Sequence, residues 1–148
     1  MAKEQGRFQC VVIAPQGKVV DCPASSVVFP CHDGFVGVMP GHLPIFCRLG
    51  MDIMKIKRFG SQHFEKDYIY LLINRGFLLM GTGLLTVTTS EAFSFEGLGA
   101  EKIEGILEKE RRRLATGTFT MHQHWVENRK LTLLTRLTAL YTNANRQV

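Results

Sequence analysis

The most constraining stretch of this chain runs from Val11 to Leu49, where glycines and prolines fall between short apolar segments in an order few folds need. At its centre, Asp33-Gly34-Phe35-Val36-Gly37-Val38-Met39-Pro40-Gly41-His42-Leu43-Pro44 sets two turns around a strand of three to four residues. Glycine tolerates the positive φ that tight turns demand, and proline fixes φ while removing a backbone donor. Structural turns are expected at Gly37, Pro40, Gly41, His42 and Pro44. His42, between two prolines, is expected to fix its turn by a hydrogen bond.

The same short rhythm continues to residue 97. Phe8, Cys10, Val12 and Ile13 open it, Pro15-Gln16-Gly17 turns it into Lys18 to Asp21, and Ser26 to Pro30 follows. Next come Gly34 to Met39, Leu43 to Leu49 and Met51 to Lys57, the last alternating apolar and polar residues with the period of two of a half-buried strand. Phe59-Gly60-Ser61 reads as a turn, and His63 to Ile73, Gly76 to Met80 and Leu84 to Thr89 complete the series. This pattern predicts an all-β sandwich or barrel of about ten short antiparallel strands over residues 1–97.

After Gly97-Leu98-Gly99 the period becomes helical. Ile103, Ile106, Leu107 and Leu114 share one stripe, with acids early and bases late as a helix dipole favours. Thr116 to Thr120 breaks it, and Trp125, Val126, Leu133, Leu134, Leu137, Leu140 and Tyr141 form a second stripe. Two helices, at 100–115 and 121–142, are expected to make a C-terminal antiparallel α-helical hairpin over 98–148. Such a pair is too small to hold its own core, so its apolar faces need cover. Residues 98–148 carry nine Lys/Arg against five Asp/Glu, whereas 1–97 carry nine against eight. The excess predicts an acidic partner surface, met by Arg111, Arg112, Arg113, Arg129, Lys130 and Arg136.

With 45% hydrophobic and 21% charged residues in 148, the chain reads as folded rather than disordered. Its start lacks the apolar run of a leader, and its longest apolar runs fall far short of the ~20 residues that span a bilayer. A cytosolic protein, or one held at a membrane by partners without inserting, is expected. Cys10, Cys22, Cys31 and Cys47 match no zinc template and are expected to stay reduced as small apolar fillers. There is no G-x-x-x-x-G-K-[ST] phosphate loop and no G-x-S-x-G elbow, and His122 and His124 are wrongly spaced to chelate from one helix face. No catalytic residue, metal or cofactor is expected.

The block from Gly34 to Pro44 resembles the G-x-x-G-[VI]-x-P-G-H-x-P signature of the epsilon subunit of F-type ATP synthases, called delta in mitochondria. Val12 to Val19 is similar to that family's opening, and Arg75 to Leu79 with Leu85 to Thr88 to a later strand pair. The resemblance implies a non-catalytic rotor subunit of the central stalk, serving ATP synthesis and proton transport. It implies that the sandwich packs on the gamma subunit and stands on the ring of c subunits. The c-ring contact falls at Cys31, His32, Asp33, Gly34 and Phe35. The hairpin is implied to reach along gamma toward the alpha and beta catalytic subunits and restrain ATP hydrolysis. The implied location is peripheral, on the cytoplasmic face of a bacterial plasma membrane.

Some family members bind ATP through an [IL]-D-x-x-R-A motif and two arginines on the second helix. Here Gly99 replaces the aspartate, Lys102 the arginine and Thr132 one of the two later arginines, so no ATP binding is expected. Arg75 stands where the family has a small residue, and its charged end must reach solvent or a partner. A second reading stays open at this point. A small β-barrel with a basic helical tail would bind nucleic acid, stacking bases on Tyr68, Tyr70 and Phe77 beside Lys55 to Arg58.

Overall fold

The computed structural model of the chain describes residues 6–60 and 67–145. Ser61 and the expected strand start at 63–66 lie outside the described residues. The chain divides into two compact units, Met1–Ser94 and Phe95–Val148.

The first unit holds β1 (Phe8–Ala14), β2 (Gly17–Cys31), β3 (Gly34–Val38), β4 (Ile45–Arg58), β5 (Tyr68–Met80) and β6 (Leu84–Ser94). These six strands replace the expected ten because four of them are long and bent. In β2 the core takes Val20 and Ala24, then Val27 and Phe29, so the inward set changes parity along the strand. The register of β2 against β4 shifts at the same place, between Ala24 and Ser26. β4 passes from Leu49 to Met54 and Ile56, and β6 from Leu85 and Val87 to Ala92. A strict period of two cannot survive such a bend, so one bent strand reads as two short ones.

The sheet order is β1-β6-β5-β4-β2-β3, and β1 also pairs with β2. This second pairing closes the sheet into a barrel-like sandwich and leaves fewer exposed edges. β1 runs parallel to β6, so the unit is not wholly antiparallel as expected. Phe8, Cys10, Val12 and Ala14 of β1 face a core that includes Phe29, Leu71, Leu78, Leu85 and Val87. Ile13, expected among the apolar openers, points outward and is 39% exposed.

The expectation of four reduced cysteines fails. Cys31 and Cys47 form a disulfide with their Cα atoms 6.4 Å apart. Pairing of β2 with β4 sets Cys31 opposite Leu49, which brings the end of one strand to the start of the other. That register is a tertiary fact with no trace in cysteine spacing. Cys10 and Cys22 remain thiols and face each other across β1 and β2.

Burial, helped by the neighbouring Cys22 and Asp21, raises the Cys10 thiol from 9.0 to about 12. The folded state therefore keeps a proton that the unfolded state releases near pH 9. Stability is expected to be unaffected by this group below that pH. Above it, the fold should lose up to ~1.4 kcal/mol per pH unit until the folded thiol itself ionises. Urea midpoints measured upward from pH ~8 test this, and Cys10→Ala should flatten the decline.

The second unit comprises α1 (Ala100–Thr116) and α2 (Met121–Asn145), so the second helix runs three residues past its expected end at 142. Ile103 and Leu107 are buried on α1, and Leu133, Leu134 and Leu137 on α2. Trp125, expected on the apolar stripe, is instead 65% exposed. A capping box starts α2: Gln123 N–H donates to Thr120 Oγ1 at 3.3 Å, and Thr120 N–H to Gln123 Oε1 at 3.0 Å. Arg113 bridges to Glu127 across the two helices at 3.1 Å.

Candidate partner-binding site

The corner between β2 and β3 carries Cys31 to Phe35. Gly34 there has φ 129°, a conformation that disfavours other residues, and it lets the chain reverse into β3. The reversal leaves Phe35 56% exposed beside His32 and Asp33, whose Nδ1 and Oδ1 are 3.1 Å apart. A large aromatic ring turned to water is held there by the turn and not by burial.

The signature turn follows, without Gly37: expected in a turn, that residue lies within β3 opposite Val28 of β2, because strand pairing takes it up. Gly41 has φ 83°, and the His42 N–H donates to the Met39 carbonyl at 3.1 Å. His42 Nδ1 lies 2.6 Å from the Leu43 carbonyl, so that nitrogen is the donor. The histidine thus stiffens its own turn. Met39 and Leu43, on either side, project with 69% and 78% exposure. Pro40, His42 and Pro44 also line a groove of about 610 Å³ with Arg7, Phe8 and Met80.

Next to the Phe35 corner lies an apolar surface that the sequence reading missed. Phe46 is opposite Leu79 and Arg48 opposite Phe77 in the β4–β5 ladder. The Phe46 and Phe77 rings stack at 5.6 Å. Phe46, Phe77, Leu79 and Leu84 are all more than two-fifths exposed. Phe35 and Phe46 line one smaller groove of about 410 Å³ together with the disulfide cysteines. The signal for this surface was present as unbroken apolar runs, Phe77 to Met80 and Leu84-Leu85, where a half-buried strand would alternate. Contiguous apolar patches of this kind mark interaction sites.

The basic residues of the hairpin fare unevenly. Arg111 pairs with Glu104 and Glu108 at 3.3 and 3.6 Å, and Arg112 with Glu108 at 3.4 Å. Arg113 pairs with Glu110 and Glu127. The pairs of Arg111 and Arg112 are largely exposed, each worth at most ~1 kcal/mol, so an outside carboxylate can replace them, whereas the partners of Arg113 are mostly covered. Arg129 and Arg136 lie on the exposed face, but Lys130 is only 5% exposed and is withdrawn from any such contact. At the positions compared with an ATP motif, Gly99 precedes α1 without a side-chain cap, and Lys102 is exposed. Thr132 donates its hydroxyl to the Asn128 carbonyl at 3.0 Å.

The aromatics weighed as a base-stacking platform fall into two separate stacks. Tyr68 and Tyr70 stack on each other, and Lys55 Nζ sits 4.2 Å above the Tyr68 ring. Phe77 instead belongs to the surface with Phe46. The Arg75 side chain is exposed at the bend of β5. Among the described residues, no three metal-ligating side chains converge, and no helix is long and apolar enough to cross a membrane.

Comparison with known proteins agrees with this geometry. The family model for the β-sandwich domain of the ATP synthase delta/epsilon chain matches residues 7–95. The ATP synthase epsilon chain of Pelotomaculum thermopropionicum is 27% identical over 128 residues, 86% of this chain and 91% of that one. That of Synechococcus elongatus is 25% identical over 103 residues, 70% and 71% of the two chains. Among solved structures, a chain from the Euglena gracilis mitochondrial ATP synthase superposes with TM-score 0.58 at 17% identity, over 95% of this chain and 82% of that one. A chain from the central stalk and c-ring of the Tetrahymena thermophila mitochondrial enzyme gives 0.57 at 10% identity, over 88% and 95%. The signature turn, the closed sandwich and the helical pair thus have one common explanation: the chain belongs to the delta/epsilon family of ATP synthase subunits.

Proposed function

We propose that this protein is a non-catalytic subunit of the central stalk of an F-type ATP synthase, turning with gamma and seated on the c ring. The observation that carries the reading is the apolar surface from Phe35 through Phe46 and Phe77 to Leu79, next to the signature turn of the family. Two large faces of contact are needed by a subunit that transmits torque without chemistry of its own. The Cys31 to Phe35 corner serves the c ring, and the Phe46 and Phe77 surface serves gamma. The hairpin, with Arg111, Arg112, Arg113, Arg129 and Arg136 outward, approaches acidic surface of the alpha and beta subunits and restrains ATP hydrolysis. ATP itself is not bound, since the positions at Gly99, Lys102 and Thr132 lack the acidic acceptor and guanidinium groups. We place the protein peripherally, at the cytoplasmic face of a bacterial plasma membrane or, as a delta subunit, in the corresponding mitochondrial complex.

The test is co-purification of the tagged chain from solubilised membranes, beside a form ending at Gly97 and the variant Phe35→Asp. Full-length and shortened chains should both bring down the synthase, and the synthase that carries the shortened chain should hydrolyse ATP faster. Phe35→Asp removes the ~1.5–3 kcal/mol that burial of this ring provides, so its retention should drop about 10- to 100-fold. Failure of the intact chain to bring down any synthase subunit would sink the reading, and unchanged retention of Phe35→Asp would remove that corner from the contact.

A further inference from the structure

The disulfide closes the loop that carries the proposed contact. It joins residues sixteen apart in sequence, and the loop so closed contains β3, the Pro40-Gly41-His42 turn and the exposed Phe35, Met39 and Leu43. Among the described residues, β3 sits at the end of the sheet order and pairs with β2 alone. The β2–β4 ladder beneath it is irregular between Val28 and Cys31. Beyond that break, β2 and its corner are tied to β4 by the Cys31 and Leu49 pairing and by the His32 N–H donated to the Arg48 carbonyl at 3.2 Å. The covalent bond adds a third tie, from Cys31 to Cys47 near the start of β4. Both cysteines are partly exposed in a groove that opens to solvent, so a small reductant reaches them.

The other two cysteines supply a contrast. Cys10 and Cys22 also face each other, yet Cys10 has no exposed surface and its buried thiol resists ionisation. Thiol exchange requires a thiolate and access, and Cys10 offers neither.

We propose that the Cys31–Cys47 bond is a reversible redox clasp, which holds the Phe35 corner in its docking geometry when oxidised and releases it when reduced. The inference rests on the central-stalk reading above. In the reducing direction a thiolate of a cellular dithiol of the thioredoxin class attacks one sulfur, forming a mixed disulfide and expelling the other cysteine as a thiolate that takes up a proton. The second thiol of the reductant then displaces the remaining cysteine. Two electrons and two protons pass to the chain, which ends with two thiols, while the reductant leaves as its disulfide. A loose corner must be ordered again on docking, and that entropic cost weakens the contact. The groove holding the bond also holds Phe35 and Phe46, so exchange acts on the chain before it is seated.

The experiment uses the full chain, equilibrated in mixtures of reduced and oxidised dithiothreitol, trapped by alkylation and mapped by peptide mass. One two-electron transition is expected, with Cys31 and Cys47 alkylated together and Cys10 unmodified. Binding of each form is then measured to a synthase complex stripped of this subunit. The oxidised chain should bind about tenfold tighter than the reduced one. Cys31→Ser/Cys47→Ser should bind like the reduced chain at every ratio. Equal binding of the two redox forms, or a bond that dithiothreitol leaves intact in the folded chain, overturns the clasp while leaving the central-stalk reading in place. Absence of binding by both folded forms overturns that reading and the clasp with it.

Discussion

Gly76→Ala is expected to destabilise the sandwich by roughly 4 kcal/mol or more, enough to unfold much of a domain whose total stability is of the order of 5–15 kcal/mol. Gly76 follows Arg75, which is itself at φ 57°, and adopts φ 141° where β5 bends. A Cβ placed on it would stand 1.9 Å from the Thr88 carbonyl oxygen and 2.8 Å from the Thr89 Cα. Both obstacles are backbone of the paired strand, so no side-chain rotation relieves them. β5 must separate from β6 or lose its bend. That bend is also where Thr89 Oγ1 donates to the Arg75 carbonyl at 2.6 Å, so the local hydrogen bond would go with it. Gly83→Ala provides the control: it too has positive φ, at 72°, but its Cβ would meet nothing within 4 Å. Its cost should stay near 1–2 kcal/mol, the backbone penalty alone. Urea denaturation of both variants decides the matter, and equal midpoints would show that the steric argument is wrong. Because Phe77 adjoins the bend, any Gly76→Ala protein that folds should also bind the synthase poorly.

Removal of the Cys31–Cys47 bond is the second large effect. Closing a loop of about fifteen residues is worth ~3 kcal/mol through the entropy denied to the unfolded chain. Cys31→Ser/Cys47→Ser should therefore lower the melting temperature by roughly 12–24 °C if the β unit unfolds independently. The same shift should appear when the wild-type chain is melted with excess reductant, whereas Cys22→Ser should change the reductant effect little. Identical melting curves with and without reductant would show that the bond contributes nothing to the folded state's margin. The stability loss and the docking loss are separable, since binding is measured at a temperature where both forms are folded.

The turn block from Gly34 to Pro44 was legible where a residue states a local need, positive φ at Gly34 and Gly41 and a fixed φ at Pro40 and Pro44, but Gly37, read as a turn residue, lies within β3. The change from a period of two to a helical period near residue 97 was equally plain, and the helices begin at Ala100 and Met121. The Thr120-x-x-Gln123 capping box was readable but overlooked in a threonine-rich joint. Strand number was misread, since the parity change within β2, β4 and β6 mimics a strand end. Lys130 was read as surface by its charge, although its place on α2 turns it inward.

What the sequence determined by itself is everything that depends on neighbours a few residues away: the turns, the two periodicities, the helix starts and the family signature. Tertiary structure alone decided the closure of β1 on β2, the meeting of Cys31 with Cys47, and the stacking of Phe46 on Phe77 beside Phe35. Each of these joins residues from separate strands, and pairing register is set by the packing of the whole core.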